Sequence, residues 1–388
     1  MMMNNNDLQL SYQKPFALYV HIPFCLEKCN YCDFYSERYS HSALEGFYQG
    51  IQREIELYTS LIERPVLKTI YIGGGTPSLI KPAYLVGLIE KIRQHFDLAM
   101  VEEISIEVNP GSITKDKLLK YKEAGINRIS LGVQSFNDNE LNFLGRKHTA
   151  GQALEAVELL QRVFQNYNLD LIFAIPGQSL KSWQETLKQV LSFQPPHLSI
   201  YNLQIEKGTP LANMLEEGEI KVVDDTLDAE MYLLARELFN LHDFKQYEIS
   251  NFTRKGFDSI HNQIYWHYQP YLGIGPAAVS FDGRIRFANK ADLQKYINNL
   301  TNSVLPVENI ERLSIKEQIS EMIFMGLRLT DGISLAEFTD RFVVDLLKLY
   351  QQEVEDCLSK GFIEIKDGYI RLSEKGLLLG NEVFMKFL

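Results

Sequence analysis

The chain has 388 residues, 45% of them hydrophobic, which is enough for one large domain and a smaller one with buried cores. Its formal charge of -11 argues against extensive nucleic-acid binding, because neutralising phosphates requires concentrated Lys and Arg. No apolar run approaches the length of a membrane span and no secretory signal is visible, so we expect a cytoplasmic protein whose residues 1–14 form a flexible N-terminus.

Short β-branched segments alternate with longer amphipathic segments from about residue 16 to residue 204. This is the pattern of repeated βα units around a parallel sheet. Between the strands, segments such as 43–62 and 151–164 carry apolar residues at three- and four-residue intervals, which indicates helices that cover the sheet. The sequence therefore predicts an α/β fold, with strands at 17–24, 69–75, 103–110, 128–135, 168–177 and 197–204.

The last part of the chain has a different pattern. A helix is predicted at 224–241, a tract rich in glycine and aromatic residues follows, and from about residue 309 two helices precede "GFIEIKDGYIRLSEKG". Two alternating runs around an Asp-Gly turn signal are typical of a hairpin, and with the helices they indicate a small winged-helix-like domain at 306–388. From residue 311 onward, 10 Lys plus Arg against 14 Asp plus Glu favour a lid or a partner platform over a DNA reader.

Three of the four cysteines lie within eight positions, directly after the first predicted strand. Cys25, Cys29 and Cys32 can converge on one soft metal centre, because a tight loop returns each sulfur to the same side. A zinc site would need a fourth ligand, for which His21 is available, whereas an iron-sulfur cube normally takes four cysteines. With three thiolates, one iron would stay open to an exchangeable small molecule. Cys357 lies apart in an amphipathic segment and is predicted to be a buried thiol.

Polar groups also stand at the ends of the other predicted strands, where barrel enzymes carry their chemistry. The motifs are "GGGTP" at 73–77, "EVNPG" with Glu107 and "GVQSF" with Gln134, while Asp170 lies within the fifth strand. Arg146, in "LGRKH", can pair with a carboxylate through its fork of donors. Each of these residues also has a structural interpretation, as a turn former, a satisfied polar group or a solvated side chain.

The cysteine spacing and the six βα units resemble the radical S-adenosylmethionine (SAM) superfamily. The resemblance implies a partial TIM-type (β/α)6 barrel, which with the heme-motif region would span residues 15–305. It also implies a [4Fe-4S] cluster on Cys25, Cys29 and Cys32, with SAM chelating the unique iron. By the same resemblance, SAM would be contacted by Tyr19, Gly74, Gly75, Thr76, Glu107, Gln134, Arg146 and Asp170.

Within that superfamily, the motifs together resemble the subgroup that contains the oxygen-independent coproporphyrinogen III oxidase and the HemW-type heme chaperones. The oxidase has a further cysteine two residues after the third, where this chain has Phe34, and a longer N-terminal extension than the 24 residues before Cys25. Both differences favour a chaperone without net catalytic turnover, which would pass heme to acceptor hemoproteins. The alternative is radical decarboxylation of a porphyrinogen, with flavodoxin or ferredoxin as reductant.

The tract "HNQIYW", residues 261–266, matches the HNxxYW motif that the resemblance associates with HemW-type proteins. Imidazole can ligate heme iron, and Tyr and Trp offer flat apolar area with polar edges. We therefore expect heme at His261, Asn262, Tyr265 and Trp266. The structural alternative is that His261 and Asn262 cap a turn while the two aromatic residues fill core. Peripheral contact with membrane hemoproteins is also compatible with a heme donor.

Overall fold

The structure, a computed structural model, describes Leu8 and residues 10–12, 15–63 and 65–388. Most of the predicted flexible N-terminus, namely residues 1–7, 9, 13 and 14, lies outside the described residues. Leu8 and Tyr12 are buried in the main core, and the backbone N–H of Ser11 donates a hydrogen bond to Asp282. In the described part of the chain, no helix is long and apolar enough to cross a membrane.

A large curved sheet forms the centre of the fold. The strands are β1 (Phe16–Ile22), β2 (Phe24–Cys25), β3 (Glu37–Arg38), β4 (Leu67–Gly74), β5 (Glu103–Val108), β6 (Arg128–Gln134), β7 (Tyr167–Phe173), β8 (His197–Asn202), β9 (Lys245–Gln246), β10 (Asn251–Thr253), β11 (Tyr271–Ile274), β12 (Val279–Phe281), β13 (Ile285–Asn289), β14 (Val307–Arg312), β15 (Ile333–Ser334), β16 (Ile363–Lys366) and β17 (Tyr369–Leu372). Within the described residues, the order in the large sheet is β14-β13-β12-β11-β1-β4-β5-β6-β7-β8-β10-β9.

The six predicted strands are confirmed as β1, β4, β5, β6, β7 and β8, which pair in parallel in that order. The sheet contains one more parallel strand than predicted, because β11 pairs with β1. Antiparallel strands continue the sheet on both sides, so the parallel part is a partial barrel. The fifth predicted strand ends at Phe173 instead of residue 177, since Ala174 has a left-handed φ of 56°.

Helices cover the outer face of this sheet and continue into the last part of the chain. They are α1 (His41–Leu61), α2 (Pro82–His95), α3 (Lys115–Glu123), α4 (Asp138–Phe143), α5 (Ala150–Gln161), α6 (Leu180–Ser192), α7 (Pro210–Glu216), α8 (Asp225–Leu241), α9 (Ile260–Trp266), α10 (Leu293–Thr301), α11 (Ile315–Gly326), α12 (Leu335–Phe342), α13 (Leu346–Leu349), α14 (Gln351–Ser359), α15 (Glu374–Leu378) and α16 (Gly380–Phe384). Side-chain caps begin many of them; Thr149 and Gln152, for example, form a capping box on α5.

The strands alternate apolar and polar side chains, and this alternation determines what the barrel encloses. On β4, Ile70 and Ile72 are fully buried in the main core, whereas Tyr71 lines the barrel interior. Neighbouring strands repeat the pattern, with Ile106 in the main core and Glu107 on the interior. Successive strand residues point to opposite faces, so the apolar set packs under the helices and the polar set faces inward.

A second core lies in the C-terminal part of the chain. Helices α11 to α16 pack on a three-stranded sheet of order β15-β17-β16, around large buried side chains such as Phe338. The predicted hairpin is present, with Asp367 and Gly368 at positive φ between β16 and β17. Cys357 is fully buried in this core. The boundary at residue 306 stays a prediction; β14 still pairs with β13 of the large sheet, and the second core begins after it.

Glu54 on α1 is a buried carboxyl that joins this helix to later parts of the chain. It accepts hydrogen bonds from the backbone N–H of Gly275 at 2.8 Å, from Nδ2 of Asn289 at 2.5 Å and from the hydroxyl of Tyr296 at 2.5 Å. Burial raises the pKa of Glu54 to about 7. One side chain therefore ties α1 to the segment after β11, to β13 and to α10.

We expect Glu54→Ala to lower the free energy of unfolding by about 1–3 kcal/mol, because three buried donors lose their acceptor. Urea denaturation measures this loss. Glu56→Ala on the same helix is the control, since its carboxylate makes partly exposed ion pairs with Arg53 and Lys91 and should cost less than about 1 kcal/mol. Equal losses in the two variants would contradict the role of Glu54.

Candidate functional site

A cavity of about 900 Å³ occupies the barrel interior and opens beside the cysteine loop; we call it the chamber. Its walls contain most of the residues that the sequence singled out. The predicted site residues that line it are Cys25, Cys29, Cys32, Gly74, Gly75, Thr76, Glu107, Gln134, Arg146, Asp170 and Asn262. Tyr19, His261, Tyr265 and Trp266 are not among its lining residues.

The cysteine loop is held from both ends. Pro23 separates β1 from β2, and the short β2 pairs with β3, which places Cys25 at the start of the loop and returns the chain after Cys32. Asn30 anchors the middle, since its backbone N–H donates to the carbonyl of Leu144 at 3.0 Å and its Nδ2 donates to the carbonyl of Phe143 at 2.8 Å. The end of α4 therefore positions the turn between the second and third cysteines.

The three thiols are partly exposed and line one cavity. The Sγ of Cys25 lies 3.6 Å from Oγ1 of Thr76, and Nη1 of Arg146 donates to Sγ of Cys29 at 3.6 Å. Burial raises the pKa of Cys32 to about 11, which disfavours its thiolate unless a cation or metal compensates. Three sulfur donors with a guanidinium beside them are the kind of ligand that a soft iron-sulfur centre takes, although as placed they do not form a group that could hold a metal ion.

His21 does not join this set as a zinc ligand would. Its Nε2 is hydrogen-bonded to the carbonyl of Tyr35 at 2.8 Å and its Nδ1 to the hydroxyl of Tyr19 at 3.1 Å. Both ring nitrogens are occupied, and the hydrogen bond to Tyr35 ties the ring to the segment that follows the cysteine loop. Among the residues that the structure describes, no group of three or more His, Cys, Asp or Glu side chains could hold a metal ion as placed.

The glycines of "GGGTP" allow β4 to approach the cysteine loop. A Cβ on Gly75 would lie 2.7 Å from the carbonyl oxygen of Phe24, and Gly74 has φ of +109° with the His21 ring 2.7 Å from its Cβ position. The backbone N–H of Gly75 donates to the carbonyl of Ile22, and that of Thr76 donates to the carbonyl of Phe24. Glycine is required because the two backbones run in direct contact.

Glu107 is a buried carboxyl on the chamber wall. It accepts a hydrogen bond from the hydroxyl of Tyr71 at 2.8 Å and another from the backbone N–H of Gly74 at 3.1 Å. Burial is the main cause that raises its pKa to about 7; the nearby Asp170 also raises it, and the two hydrogen bonds partly offset the shift. Glu107 can therefore change charge near neutral pH.

Arg146 makes contacts that the sequence did not indicate. Its Nη2 donates to Oδ1 of Asn109 at 2.6 Å and to the carbonyl of Gly132 at 2.8 Å, instead of pairing with a carboxylate. Asn109 in turn donates from Nδ2 to Oγ1 of Thr76 at 3.1 Å. Asn109 thus connects Arg146 to the "GGGTP" turn. This role was not predicted, although the residue stands in the "EVNPG" motif directly after a strand.

Gln134 and Asp170 complete the inner wall. Gln134 has a left-handed φ of 66°, and the register between β6 and β7 shifts at this point, so a bulge turns its side chain into the chamber. Asp170 accepts hydrogen bonds from Oγ of Ser130 at 2.8 Å and from Nδ2 of Asn168 at 2.6 Å. Its burial raises the pKa of its carboxyl, which these hydrogen bonds partly offset.

The predicted heme tract forms the short helix α9 and lies at the base of the barrel. His261 is buried, with Nδ1 hydrogen-bonded to Oγ1 of Thr69 at 2.8 Å and Nε2 to the hydroxyl of Tyr265 at 2.9 Å. Its ring stacks on Tyr71 with 4.9 Å between centroids, and burial lowers its pKa to about 3. Both nitrogens are engaged, so iron ligation by His261 would require these bonds to break.

The other members of the tract face different surroundings. Asn262 lines the chamber. The ring of Trp266 packs under the guanidinium of Arg328 at 4.6 Å, and its indole N–H is buried without a hydrogen-bond partner among the described residues. The structure therefore brings Asn262 to the predicted SAM residues but does not gather the four heme candidates around one open space.

Comparisons with known proteins agree with this geometry. The family model of the radical SAM superfamily matches residues 19–190, and that of the HemN C-terminal domain matches residues 313–379. The heme chaperone HemW of Bacillus subtilis (strain 168) is 34% identical over 374 residues, which are 96% of this chain and 99% of that protein. HemW of Lactococcus lactis subsp. lactis (strain IL1403) is 34% identical over 380 residues, 97% of this chain and 98% of the relative.

The fold also resembles that of a solved enzyme. The coproporphyrinogen III oxidase HemN from Escherichia coli, a radical SAM enzyme, superposes with a TM-score of 0.84 at 21% sequence identity. The match covers 99% of this chain and 92% of the HemN chain. At this identity the similarity shows a shared architecture, including the small C-terminal domain.

We expect Gly75→Ala to reduce the iron and sulfide bound after anaerobic reconstitution to less than about half of the native content. Its Cβ would press on the backbone of Phe24, which directly precedes Cys25, and backbone cannot yield as a flexible side chain does. Gly151→Ala is the matched control, because its Cβ would meet only Oγ1 of Thr149 at 3.8 Å in a helix that favours Ala. Full cluster content in Gly75→Ala would refute the close-approach argument.

Proposed function

We propose that this chain, which belongs to the HemW family of the radical SAM superfamily, is a heme chaperone that binds heme and transfers it to acceptor hemoproteins. Full-length similarity to HemW proteins at 34% identity is the observation that carries the proposal. Phe34, which lies exposed beside the loop where the oxidase pattern has a further cysteine, supports it. The cytoplasmic location expected from the sequence is part of the same proposal.

Cys25, Cys29 and Cys32 would hold a [4Fe-4S] cluster, and the chamber below them would hold SAM. When bound, cluster and SAM supply one-electron chemistry, with flavodoxin or ferredoxin as the expected reductant. This chain's residues would position and charge the site: Arg146 places a cation beside Cys29, and Glu107 offers a carboxylate. Gln134 and Asp170 face the same space from neighbouring strands. In a chaperone these groups would sense the redox state of the cluster or set the conformation of the protein, instead of driving catalytic turnover.

Heme uptake is the direct test of the proposed function. We expect the anaerobically reconstituted protein to bind a single heme per chain and to give it up to an apo-hemoprotein, as followed by the Soret band. The same preparation should not convert coproporphyrinogen III under strict anaerobiosis, whereas a HemN control should. Failure to take up heme, or conversion of coproporphyrinogen, would each overturn the chaperone assignment.

We expect SAM binding to strengthen as pH rises through the pKa of Glu107, about 7, because the amino group of SAM pairs with the ionised carboxylate. Below that pKa the buried carboxyl is protonated, and binding must expel the proton. Glu107→Gln should weaken SAM binding roughly tenfold to a hundredfold and remove this pH dependence. Titration calorimetry of the reconstituted protein across this pH range measures both effects.

Glu54→Gln is the control for this experiment. Its carboxyl is also buried with a pKa raised to about 7, but Glu54 is not among the residues that line the chamber. The variant should therefore keep the native SAM affinity and its pH profile. An unchanged profile in Glu107→Gln, or the same loss in both variants, would contradict the assignment of Glu107 to SAM.

A further inference from the structure

A second cavity, of about 810 Å³, lies between the base of the barrel and the C-terminal unit; we call it the groove. One side comes from the segment around β9 and β10 and from α9, and the other from the residues after α11 and from the β16-β17 hairpin. Gln263 and His267 line it from α9 and its C-terminal cap. The groove is separate from the chamber, with which it shares no lining residue.

His267 differs from the other histidines of the chain. All eight lie in the described ranges, and within them the His267 ring is the one that has neither a hydrogen-bond nor an ion-pair partner. Six of the others are hydrogen-bonded through a ring nitrogen, and the seventh pairs with Glu45: His21, His95, His148, His197, His242, His261 and His41. His267 is exposed, so a lone pair on its neutral ring is open to a ligand.

Helix α9 separates the two cavities. Asn262 faces the chamber, whereas Gln263 and His267, four positions apart and hence on one side of the helix, face the groove. His261 is buried in the same helix, with both ring nitrogens bound to protein groups. The HNQIYW tract thus forms the wall between the chamber and the groove. The imidazole that is free to bind a ligand, that of His267, lies on the groove side of this wall.

The groove also carries groups suited to carboxylates. Lys255 on the barrel side and Lys366 on the hairpin have no ion-pair or hydrogen-bond partner among the described residues, whereas Lys245 pairs with Asp331 and Arg371 with Glu364. The other acidic lining residues, Asp243, Asp258 and Asp367, outnumber these two free lysines. Tyr369, 39% exposed, offers apolar area. Retention of a dianionic porphyrin would therefore depend mainly on its metal.

The geometry points to the groove as the heme site, with a ring nitrogen of His267 as an axial ligand of the iron and Lys255 and Lys366 facing the propionates. This inference rests on the proposed heme-carrying function. The neutral imidazole donates its lone pair to iron and displaces the water, hydroxide or chloride that free hemin carries, without a change of oxidation state. A single ligand in an open groove holds heme and still leaves it accessible to an acceptor protein.

Hemin titration of His267→Gly tests the iron ligand. We expect its affinity to fall at least about tenfold and its Soret band to differ from the native one, because a coordinate bond is lost. Added imidazole should restore the native spectrum by entering the vacated position. His41→Ala removes an exposed histidine on α1, outside the groove, and should match the native protein in both measurements.

Lys255→Ala combined with Lys366→Ala tests the propionate contacts. The native protein should prefer heme to its dimethyl ester, which lacks the carboxylates, and the double variant should lose that preference. Lys115→Ala with Lys188→Ala, two exposed lysines elsewhere on the surface, should keep it. A native preference that persists in the groove variant would refute this part of the inference.

The outcomes separate this inference from the proposed function. If the native protein binds heme and His267→Gly has the same affinity and spectrum, the groove assignment is wrong and the chaperone function stands. If the native protein binds no heme, the proposed function fails and this inference fails with it. Loss of binding in His267→Gly without rescue by imidazole, in a variant of native stability, would also overturn direct ligation.

Discussion

The strict alternation of side chains along the parallel strands is the constraint on which the rest of the structure depends. Isoleucine, leucine and valine on one face pack under the helices and supply the main core. The other face does not contribute to this core, and it presents hydroxyl, amide and carboxyl groups to the chamber. A barrel filled by branched apolar side chains would have no room for a ligand.

This alternation also explains what could be predicted from the sequence. The six parallel strands were found because each is a local pattern, and the cysteine loop because its spacing is compact. The pairing of β11 with β1 was not found, since Leu18 and its partner Leu272 are far apart in sequence and no local signal links them. For the same reason the contact between Arg146 and the amide of Asn109 was not found.

The HNQIYW tract shows a second limit of sequence patterns. The motif places histidine and aromatic residues together, which suits both a heme site and a packed helix. The fold adds what the motif alone does not show: Thr69 from β4 and Tyr265 from the next turn of α9 hydrogen-bond to the two ring nitrogens of His261. A residue outside the motif, His267, keeps an open ring because the helix ends there and exposes it to the groove.

The position of α9 between the two cavities has a thermodynamic consequence. A ligand in the chamber that shifts this helix changes the free energy of whatever sits in the groove. Coupling between two binding events is reciprocal, so each ligand must alter the affinity of the other by the same factor. If a ligand in the chamber weakens binding in the groove, a ligand in the groove weakens binding in the chamber by the same factor. The two ligands would then exchange in the direction set by their concentrations.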